Sequence, residues 1–346
     1  MTDKAPADLG FRMPAEWEPH ARCWMAWPCR EELWGERLDE ARAAYADVAR
    51  AIADFEPVTM VARPEQVAGA SLRCGSGVSV LPLDLDDSWM RDTGPSFLVD
   101  EAGAVAGVDW RFNGWGGKYR PFDKDAAAAG AILDHLGLPA FRAPIVLEGG
   151  AIHVDGAGTA MTTEQCLLDP SRNPGLDRAE IEDCLRRHLG VRKTIWLGRG
   201  LEGDETDGHV DNLACFVRPG TVLALAAGDS DDPDFEVLAD NLARLRAARD
   251  ANGRELEVIE VPRPRLAHRA ADGARLVRSY VNFYVANGGV LVPAFGDDND
   301  RQALEIIAAA FPGRRTVPLT AAATIVEGGG GIHCVTLQQP AAAAAA

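Results

Sequence analysis

The sequence alternates five times between a helix-like stretch and a strand-like run, and this repeat limits the folds that the chain can adopt. The stretches carry the alanine, leucine and charge mix of amphipathic helices and fall at roughly 35–54, 124–137, 177–189, 233–250 and 299–312. Each leads into a run rich in β-branched residues, at 58–61, 144–147, 194–197, 256–259 and 316–319. Hairpin signals separate further strand-like segments at 100–103, 155–158, 218–220 and 286–289. The pattern predicts a fold of repeated α/β units.

Two strand-like segments, 21–27 and 332–337, have no partner within this cycle. We predict that they complete the fifth unit together, because closing a ring of units removes exposed sheet edges. An ordinary α/β sandwich is the alternative. Residues 1–340 are expected to form a single domain, and the alanine run 341–346 is expected to be a dispensable, disordered tail.

Composition restricts the partners and the location of the protein. A net charge of −17 disfavours nucleic acids and anionic membranes and is compatible with a cationic substrate, although solubility alone would also explain it. The 7 cysteines have no paired spacing and predict free thiols in a reducing compartment. The sequence shows no apolar signal segment near its start and no stretch long enough to span a membrane, so a cytoplasmic location is expected. Nucleotide-binding motifs are missing, so no cofactor is predicted.

Three segments carry chemistry-bearing side chains. Cys334 follows a run of glycines, which lets a ligand approach the backbone closely and makes the thiol a candidate nucleophile rather than an inert buried cysteine. Trp89 stands among carboxylates in the segment 86–95. His209 and Asp211 are two residues apart and would share one face of an extended segment. Thiol, imidazole, carboxylates and indole together suit a guanidinium, whose planar N–H groups pair with carboxylates and whose charge is attracted to an indole face.

With these segments the chain resembles the agmatine deiminase family of the guanidine-modifying pentein superfamily. The matching segments follow the family order from about residue 11 to residue 340: 11–17, 86–95, 112–119, 147–150, 202–212 and 327–334. The resemblance implies a fivefold pseudo-symmetric α/β propeller of repeated β-β-α-β units. It also implies hydrolysis of agmatine to N-carbamoylputrescine and ammonia through a covalent thiouronium intermediate.

The resemblance also implies a role for each matching residue. Cys334 would attack the guanidinium carbon, and His209 would act as acid and base. Asp92 and Asp211 would each bind one edge of the guanidinium, and Glu148 would orient His209 or contact the substrate. The alternatives are a core histidine, aspartates that cap turns, and a structural salt bridge at Glu148.

A metal site is a further alternative, because Asp204 or Asp207 could join His209 and Asp211 as ligands. No further histidine has metal-like spacing, and we predict no metal. His333 is predicted to be structural and to face away from the site, because successive residues of a strand point to opposite faces.

Which group the site can bind at the far end of the substrate depends on the acids around it. Trp89 resembles the family's indole beside the methylene chain, and Glu205, Asp204 and Asp207 could hold a second cation. Arg91 is the one lysine or arginine in the segments 86–95 and 202–212, which favours agmatine over arginine with its extra carboxylate.

Three rival functions stay open: deimination of peptidyl or free arginine, an amidase, and a non-catalytic guanidine-binding paralogue. An amidase would leave the carboxylates unexplained, because its oxyanion needs hydrogen-bond donors. Segment 112–119 is expected either to cover the site or to be a rigid packed loop. A homo-oligomer is the ordinary expectation for such a chain.

Overall fold

A small sheet with a helix in its crossover connection is the repeating element of the fold. The computed structural model describes residues 4–265, 273 and 275–342 and contains five separate sheets. In four of them an antiparallel hairpin is followed by a helix and by a third strand that runs parallel to the second.

The elements follow one another in five groups along the chain. The first group is β1 (His20–Ala26), α1 (Glu31–Trp34), α2 (Leu38–Ala53), β2 (Val58–Ala62), α3 (Val67–Cys74) and β3 (Val78–Pro82). The second is α4 (Met90–Thr93), β4 (Ser96–Val99), β5 (Val105–Arg111), α5 (Gly114–Gly117), α6 (Asp125–Leu136) and β6 (Ala140–Val146). The third is β7 (His153–Val154), β8 (Thr159–Thr163), α7 (Glu164–Leu167), α8 (Arg178–Leu189) and β9 (Lys193–Leu197). The fourth is β10 (Ala214–Arg218), β11 (Thr221–Ala226), α9 (Phe235–Ala247) and β12 (Glu257–Pro262). The fifth is β13 (Tyr284–Ala286), β14 (Gly289–Pro293), α10 (Asp300–Ala310), β15 (Arg315–Leu319), α11 (Ala322–Ile325) and β16 (Thr336–Pro340).

The five predicted helices are confirmed as α2, α6, α8, α9 and α10, and the five predicted runs as β2, β6, β9, β12 and β15. The predicted hairpins join the first two strands of the second to fifth sheets. Local chemistry fixes the helix ends. At the start of α8 the Asp177 side chain accepts from Glu180 N at 2.9 Å while the Glu180 carboxylate accepts from Asp177 N at 2.9 Å. The sequence reading missed α3, which with β3 adds an edge strand to the first sheet.

The two ends of the described chain meet in one sheet of strand order β16-β1-β2-β3. β16 runs antiparallel to β1, with Trp24 opposite Leu337 and Met25 opposite Thr336. This pairing confirms the predicted completion of the fifth unit. The strand begins at Thr336, however, because residues 332–335 form a turn, so the prediction of a strand from 332 was wrong at its start.

Apolar side chains from the sheets and helices form the core. In α2, Tyr45, Val48 and Ile52 are all 0% exposed, at the helical spacing that the sequence pattern indicated. Complete burial of one such side chain stabilises a fold by roughly 1.5–3 kcal/mol. All the cysteines are free, as predicted, and all of them are buried. Within the described ranges, every helix is too short or too polar to cross a membrane. Residues 343–346 of the predicted tail lie outside the described residues.

Candidate active site

The candidate site residues lie in the connections between consecutive units. Trp89 and Asp92 follow β3, Glu148 follows β6, His209 and Asp211 follow β9, and Cys334 precedes β16. The fourth connection, between β12 and β13, supplies Asn282. Because the units repeat one topology, their connections converge on one place, where each contributes at least one polar side chain.

The Cys334 thiol is buried beside polar side chains. Its Sγ lies 3.3 Å from Asn282 Nδ2 and 3.5 Å from Asp211 Oδ2. The backbone N–H of Arg91 donates to the Cys334 carbonyl at 3.1 Å and holds the turn in place. Burial, together with the charges of Asp211 and Asp92, raises the pKa of Cys334 well above its usual value. The thiol is therefore protonated near neutral pH until a positive charge arrives.

Asp92 and Asp211, the predicted pair of guanidinium ligands, both lie beside this thiol. Asp92 Oδ2 accepts from Trp115 Nε1 at 2.9 Å, and its Oδ1 accepts from Gly150 N at 2.9 Å. Asp211 Oδ2 accepts from His333 Nδ1 at 2.9 Å. Its Oδ1 is buried and has no hydrogen-bond partner in the part of the chain that the structure describes. A buried carboxylate oxygen without a donor is costly, and a bound cation with N–H groups would satisfy it.

The pKa values of these two carboxyls move in opposite directions. Burial raises the pKa of Asp92, and the nearby charges of Asp211 and Glu148 add to that shift. Burial would also raise the pKa of Asp211, but the hydrogen bond and charge of His333 lower it below the usual value. The site therefore holds one firmly ionised carboxylate and one that binds a proton more readily.

His209 is fully buried between two acids. Its Nδ1 lies 3.8 Å from Asp92 Oδ1 and its Nε2 lies 3.8 Å from Glu148 Oε2, and neither nitrogen has a hydrogen-bond partner among the described residues. Burial alone would lower the pKa of His209, but the negative charge of Asp92 and the proximity of Glu148 raise it well above its usual value. The imidazole can thus carry a proton that no other group holds in place.

Glu148 combines the two roles weighed from the sequence. Its oxygens accept from Arg172 Nε at 2.9 and 3.2 Å, which makes a buried ion pair, and one of them also faces His209. Burial would raise the pKa of Glu148, but His209 and Arg172 lower it. Position 150 requires glycine, because a Cβ there would lie 2.6 Å from His209 Nδ1 and 2.8 Å from Asp211 Oδ2.

A cavity with aromatic and acidic walls leads to Cys334. It is lined by Asp87, Trp89, Asp92, Trp115, Tyr119, Glu205, Thr206, Gly328, Gly329, Gly330 and Cys334. Trp89 packs against the glycine run, where a Cβ on Gly330 would lie 2.4 Å from the indole and 3.1 Å from Cys334 Cβ. Its ring stacks with Trp34 at 6.4 Å. The glycines thus allow the indole and the thiol to share one end of the cavity.

The segment 112–119 forms a wall of this cavity. Trp115 has a φ of 53°, which turns its side chain towards Asp92. Tyr119 hydrogen-bonds to the Glu205 carboxylate, and Lys118 Nζ donates to the Glu205 carbonyl at 2.6 Å. Trp115 and Tyr119 line the cavity, and these contacts fit both alternatives, a segment that covers the site and a rigid packed loop.

Two of the predicted distal acids do not line the cavity. Asp204 Oδ1 accepts from the backbone N and the hydroxyl of Thr206 at 2.9 and 2.6 Å. Asp207 pairs with Lys118 at 2.6 Å and with Arg172 at 2.8 Å. The prediction that these two acids face the substrate is therefore corrected, since they hold their own loop.

Glu205 and Asp87 are the acids on the cavity wall beyond Asp92. Asp87 is paired with Arg30 at 2.8 Å, and burial raises its pKa to about 6. Asp87 lies in the segment 86–95, but the sequence predicted no role for it. It also missed Asn282, which no local motif marks.

The prediction that His333 faces away from the site is also corrected. It assumed a strand, whereas His333 lies in the turn before β16, where strand alternation does not apply. Its Nδ1 donates to Asp211, and its Nε2 lies 2.8 Å from Glu16 Oε1. The imidazole therefore contacts Asp211, one of the two carboxylates beside the thiol.

Two groups of described residues have the spacing of metal ligands: Glu16 with His153 and His333, and Glu148 with Cys166 and His209. In each group the glutamate already faces an arginine, Arg91 at 3.3 Å or Arg172 at 2.9 Å. A guanidinium on the same carboxylate opposes the binding of a divalent cation. The acids of the site are better matched to organic cations than to a metal.

Repeated β-β-α-β units with a thiol, an imidazole and paired carboxylates in their connections define a class, the guanidine-modifying enzymes of the pentein fold. Residues 12–340 match the model of the Porphyromonas-type peptidyl-arginine deiminase family, and the chain belongs to this family.

Individual relatives agree with this assignment. The chain is 46% identical over 358 residues to the agmatine deiminase of Stutzerimonas stutzeri, with 97% of each sequence covered. It is 43% identical over 369 residues to the agmatine deiminase of Medicago truncatula, with 98% of this chain and 99% of the relative covered. The solved agmatine deiminase of Enterococcus faecalis matches with a TM-score of 0.95 at 38% identity over 99% of each chain. These matches confirm the family and the pentein propeller expected from the sequence.

Proposed function

We propose that this protein is an agmatine deiminase, a hydrolase that converts agmatine to N-carbamoylputrescine and ammonia. One observation carries the proposal: the buried Cys334 thiol lies 3.5 Å from Asp211 and lines a cavity with Asp92, which is 3.8 Å from His209, and the charged side chains that line this cavity among the described residues are all acidic. The resemblance to agmatine deiminases over nearly the whole chain supports it.

Substrate binding places the guanidinium between the two aspartates. Asp211 Oδ1 has no donor among the described groups, and a guanidinium N–H would satisfy it. Asp92 binds the other edge, with its carboxylate held by Trp115 and Gly150. The fixed pair of aspartates places the electrophilic carbon over Cys334 Sγ, and this orientation lowers the barrier of the reaction.

Binding also activates the nucleophile. The charges of Asp211 and Asp92 contribute to the high pKa of the Cys334 thiol in the free protein. A guanidinium that pairs with both carboxylates cancels this effect and adds a positive charge, so the thiol loses its proton to solvent when the substrate is present.

The chemistry then takes two steps. The Cys334 thiolate forms a bond to the guanidinium carbon, His209 donates its proton to the departing nitrogen, and the C–N bond breaks to release ammonia. The carbon is then held as a thiouronium. His209 accepts one proton from a water molecule whose oxygen attacks this carbon. The C–S bond then breaks, the thiolate is restored, and the second proton of that water passes to solvent, where the released ammonia takes up a proton as ammonium. The raised pKa of His209 suits the first transfer, because the imidazole is protonated when substrate binds.

The cavity wall favours the amine end of agmatine. Trp89 lies along the cavity, and Glu205 and Asp87 are acids on its wall. No lysine or arginine is among the described residues that line the cavity, so the carboxylate of free arginine would meet acids without a basic partner. Peptidyl-arginine is the second candidate, and the description of the matching family is the observation that favours it.

Ammonia release and product mass with agmatine, arginine and an arginine-containing peptide test the proposal. We expect turnover of agmatine to a product about one mass unit heavier, because an imino nitrogen is replaced by oxygen, and no turnover by Cys334→Ala. Turnover of the peptide alone would transfer the assignment to the second candidate. Equal rates for wild type and Cys334→Ala would contradict the thiol mechanism.

A cytoplasmic location and a homo-oligomeric state are part of the same proposal. The acidic chain with free buried cysteines supports the first. Fractionation of the native host and sedimentation of the purified protein test the two statements separately.

A further inference from the structure

A buried layer of charged side chains lies behind Asp211, on the side away from the cavity. It consists of Glu16, Arg91, His153 and His333, all between 2% and 5% exposed. The proposed reaction uses none of these side chains directly. Their contacts nevertheless lead to two of its groups, Asp211 and Cys334.

His333 is the centre of this layer. Its Nδ1 lies 2.9 Å from Asp211 Oδ2 and its Nε2 lies 2.8 Å from Glu16 Oε1. Ionised carboxylates only accept hydrogen bonds, so both ring nitrogens must carry hydrogen and the ring is an imidazolium. The direction of the pKa of His333 agrees: burial and Arg91 lower it, but Glu16 and Asp211 raise it above the usual value.

Further contacts anchor the far side of the layer. Glu16 lies 3.3 Å from Arg91 Nη1 and 3.5 Å from His153 Nε2. His153 Nδ1 accepts from Phe216 N at 3.3 Å, so the proton of this neutral ring is on Nε2, towards Glu16. Glu16 is thus held by Arg91 and His153 and offers His333 a fixed acceptor.

The same layer holds the turn that carries the nucleophile. Arg91 Nε donates to the His333 carbonyl at 3.4 Å, and Arg91 N donates to the Cys334 carbonyl at 3.1 Å. A shift of His333 would therefore move Asp211 and the thiol relative to each other. Two carboxylates and two cations balance in this region, and the loss of one would leave a buried charge uncompensated.

We propose that His333 is a positioning residue for the reaction: it fixes Asp211 Oδ2 so that the Oδ1 oxygen is presented to the bound guanidinium beside Cys334. The inference rests on the proposed function, since it needs a guanidinium at Asp211. His333 makes no contact with the reacting atoms in this mechanism and acts through Asp211.

Two nearly isosteric substitutions separate its hydrogen bonds. An asparagine amide places its N–H near the position of the ring Nδ1 and keeps the contact with Asp211, whereas a glutamine amide reaches towards Glu16. Both variants lose the same positive charge, so the difference between them reports the hydrogen bond to Asp211. We expect His333→Asn to keep kcat/KM for agmatine at least about tenfold above that of His333→Gln, which should lower it by roughly 10–100-fold from wild type. His188→Gln is the control, a buried histidine of α8 that contacts the Cys184 carbonyl outside the site, and it should keep wild-type activity.

A double-mutant cycle shows whether the effect passes through Asp211. His333→Gln should cost no more than about twofold when Asp211 is already asparagine, because the oriented carboxylate is then gone. Equal losses in the two His333 variants, or a His333→Gln loss that is fully retained in the Asp211→Asn protein, would overturn the inference.

The experiment keeps the two proposals apart. If wild type fails to turn over agmatine, the proposed function falls and takes this inference with it; if wild type is active and the asparagine and glutamine variants behave alike, only the inference falls. Thermal unfolding confirms that each variant is folded. Should His333→Gln not fold, Glu16→Gln replaces it, with an expected loss of several-fold that disappears in the Asp211→Asn protein; a loss that persists there would overturn the inference.

Discussion

The two carboxylates beside the thiol are held by different kinds of donor. Asp92 accepts from the indole N–H of Trp115 and the backbone N–H of Gly150, which are both neutral. Asp211 accepts from the His333 ring, which lies between two acids and is positively charged. Both side chains are buried to a similar degree, 6% and 1% exposed, so the donors and not the burial distinguish them.

This difference shows that the orientation of a carboxylate and its ionisation are controlled separately. The neutral donors orient Asp92, yet burial still raises its pKa. The charged donor both orients Asp211 and lowers its pKa. Asp211 therefore stays ionised in the free protein, whereas the ionised form of Asp92 becomes favourable once the positively charged substrate is bound.

The largest expected effect tests this difference between Asp211 and Asp92 directly. Asp211→Asn should lower kcat/KM for agmatine by about 10³-fold, because it removes the firmly ionised partner of the guanidinium and one of the two carboxylates, Asp211 and Glu16, that the His333 cation contacts. Asp92→Asn should cost less, about 10²-fold, since its hydrogen-bond donors are neutral and the nearby His209 keeps Glu148 as an acidic neighbour. Steady-state kinetics on the two variants decide the matter, and a larger loss at Asp92 would contradict the comparison.

Gly150→Ala should disturb both sides at once. A Cβ there would lie 2.6 Å from His209 Nδ1, 2.8 Å from Asp211 Oδ2 and 3.0 Å from Asp92 Oδ1. Displacement of three groups by a fraction of an ångström should lower kcat by about 10²-fold. Gly69→Ala is the matched control, since a Cβ at that position of α3 meets nothing within 4 Å, and it should leave kcat unchanged. Similar rates for the two alanine variants would refute the expected crowding.

The thiol reports the charge of its neighbours without any turnover. Because the pKa of Cys334 is raised, its alkylation by iodoacetamide in the free protein should be slow at pH 7 and increase about tenfold per pH unit as the thiolate forms. Asp211→Asn removes a negative charge 3.5 Å from Sγ and should accelerate alkylation at pH 7 by about tenfold. Mass spectrometry of the Cys334 peptide measures the rate, and Cys334→Ala provides the blank. An unchanged rate in Asp211→Asn would show that this carboxylate does not control the thiol.

The smallest effect concerns one neutral donor. Trp115→Phe removes the N–H from Asp92 Oδ2 but leaves the Gly150 N–H, so kcat/KM should fall only about three- to tenfold. Loss of a donor to the carboxylate raises the pKa of Asp92 further, and the acid limb of the pH profile should move to higher pH. Trp110→Phe is the control, because its indole donates to Ser96 Oγ at 2.9 Å outside the site. An acid limb that stays in place would indicate that Trp115 serves packing alone.

The repeat could be predicted from the sequence because each helix and each hairpin carries its own local signal. The pairing of β16 with β1 followed from counting segments that lacked a partner. α3 was missed because Gly69 and a short apolar run give it little helical character. The turn at Cys334 was missed because its β-branched and apolar residues are also those of a strand.

The site could be predicted where a segment carried several polar residues together or resembled a family motif. Cys334, His209, Asp92 and Asp211 lie in segments of the first kind and Glu148 in one of the second, and the structure brings them together. Asn282 lies in no such segment, and Glu16 lies in the matching segment 11–17 without any sign of its role; both reach the site through contacts between distant parts of the chain. Asp204 and Asp207 were predicted to face the substrate because the sequence shows how many acids this segment carries. It does not show their partners, Thr206, Lys118 and Arg172, which direct the two carboxylates away from the cavity.

The pairing of β1 with β16 also sets an order of events during folding. Every other sheet is formed by strands that are near one another in the chain, whereas this sheet joins its two ends and has the largest loop to close. The turn of Cys334 precedes β16 directly, so the thiol reaches its place only when this last contact is made. A partly folded chain can thus contain four finished units and still lack activity, which makes the appearance of deiminase activity in a refolding experiment a direct signal that the ring has closed.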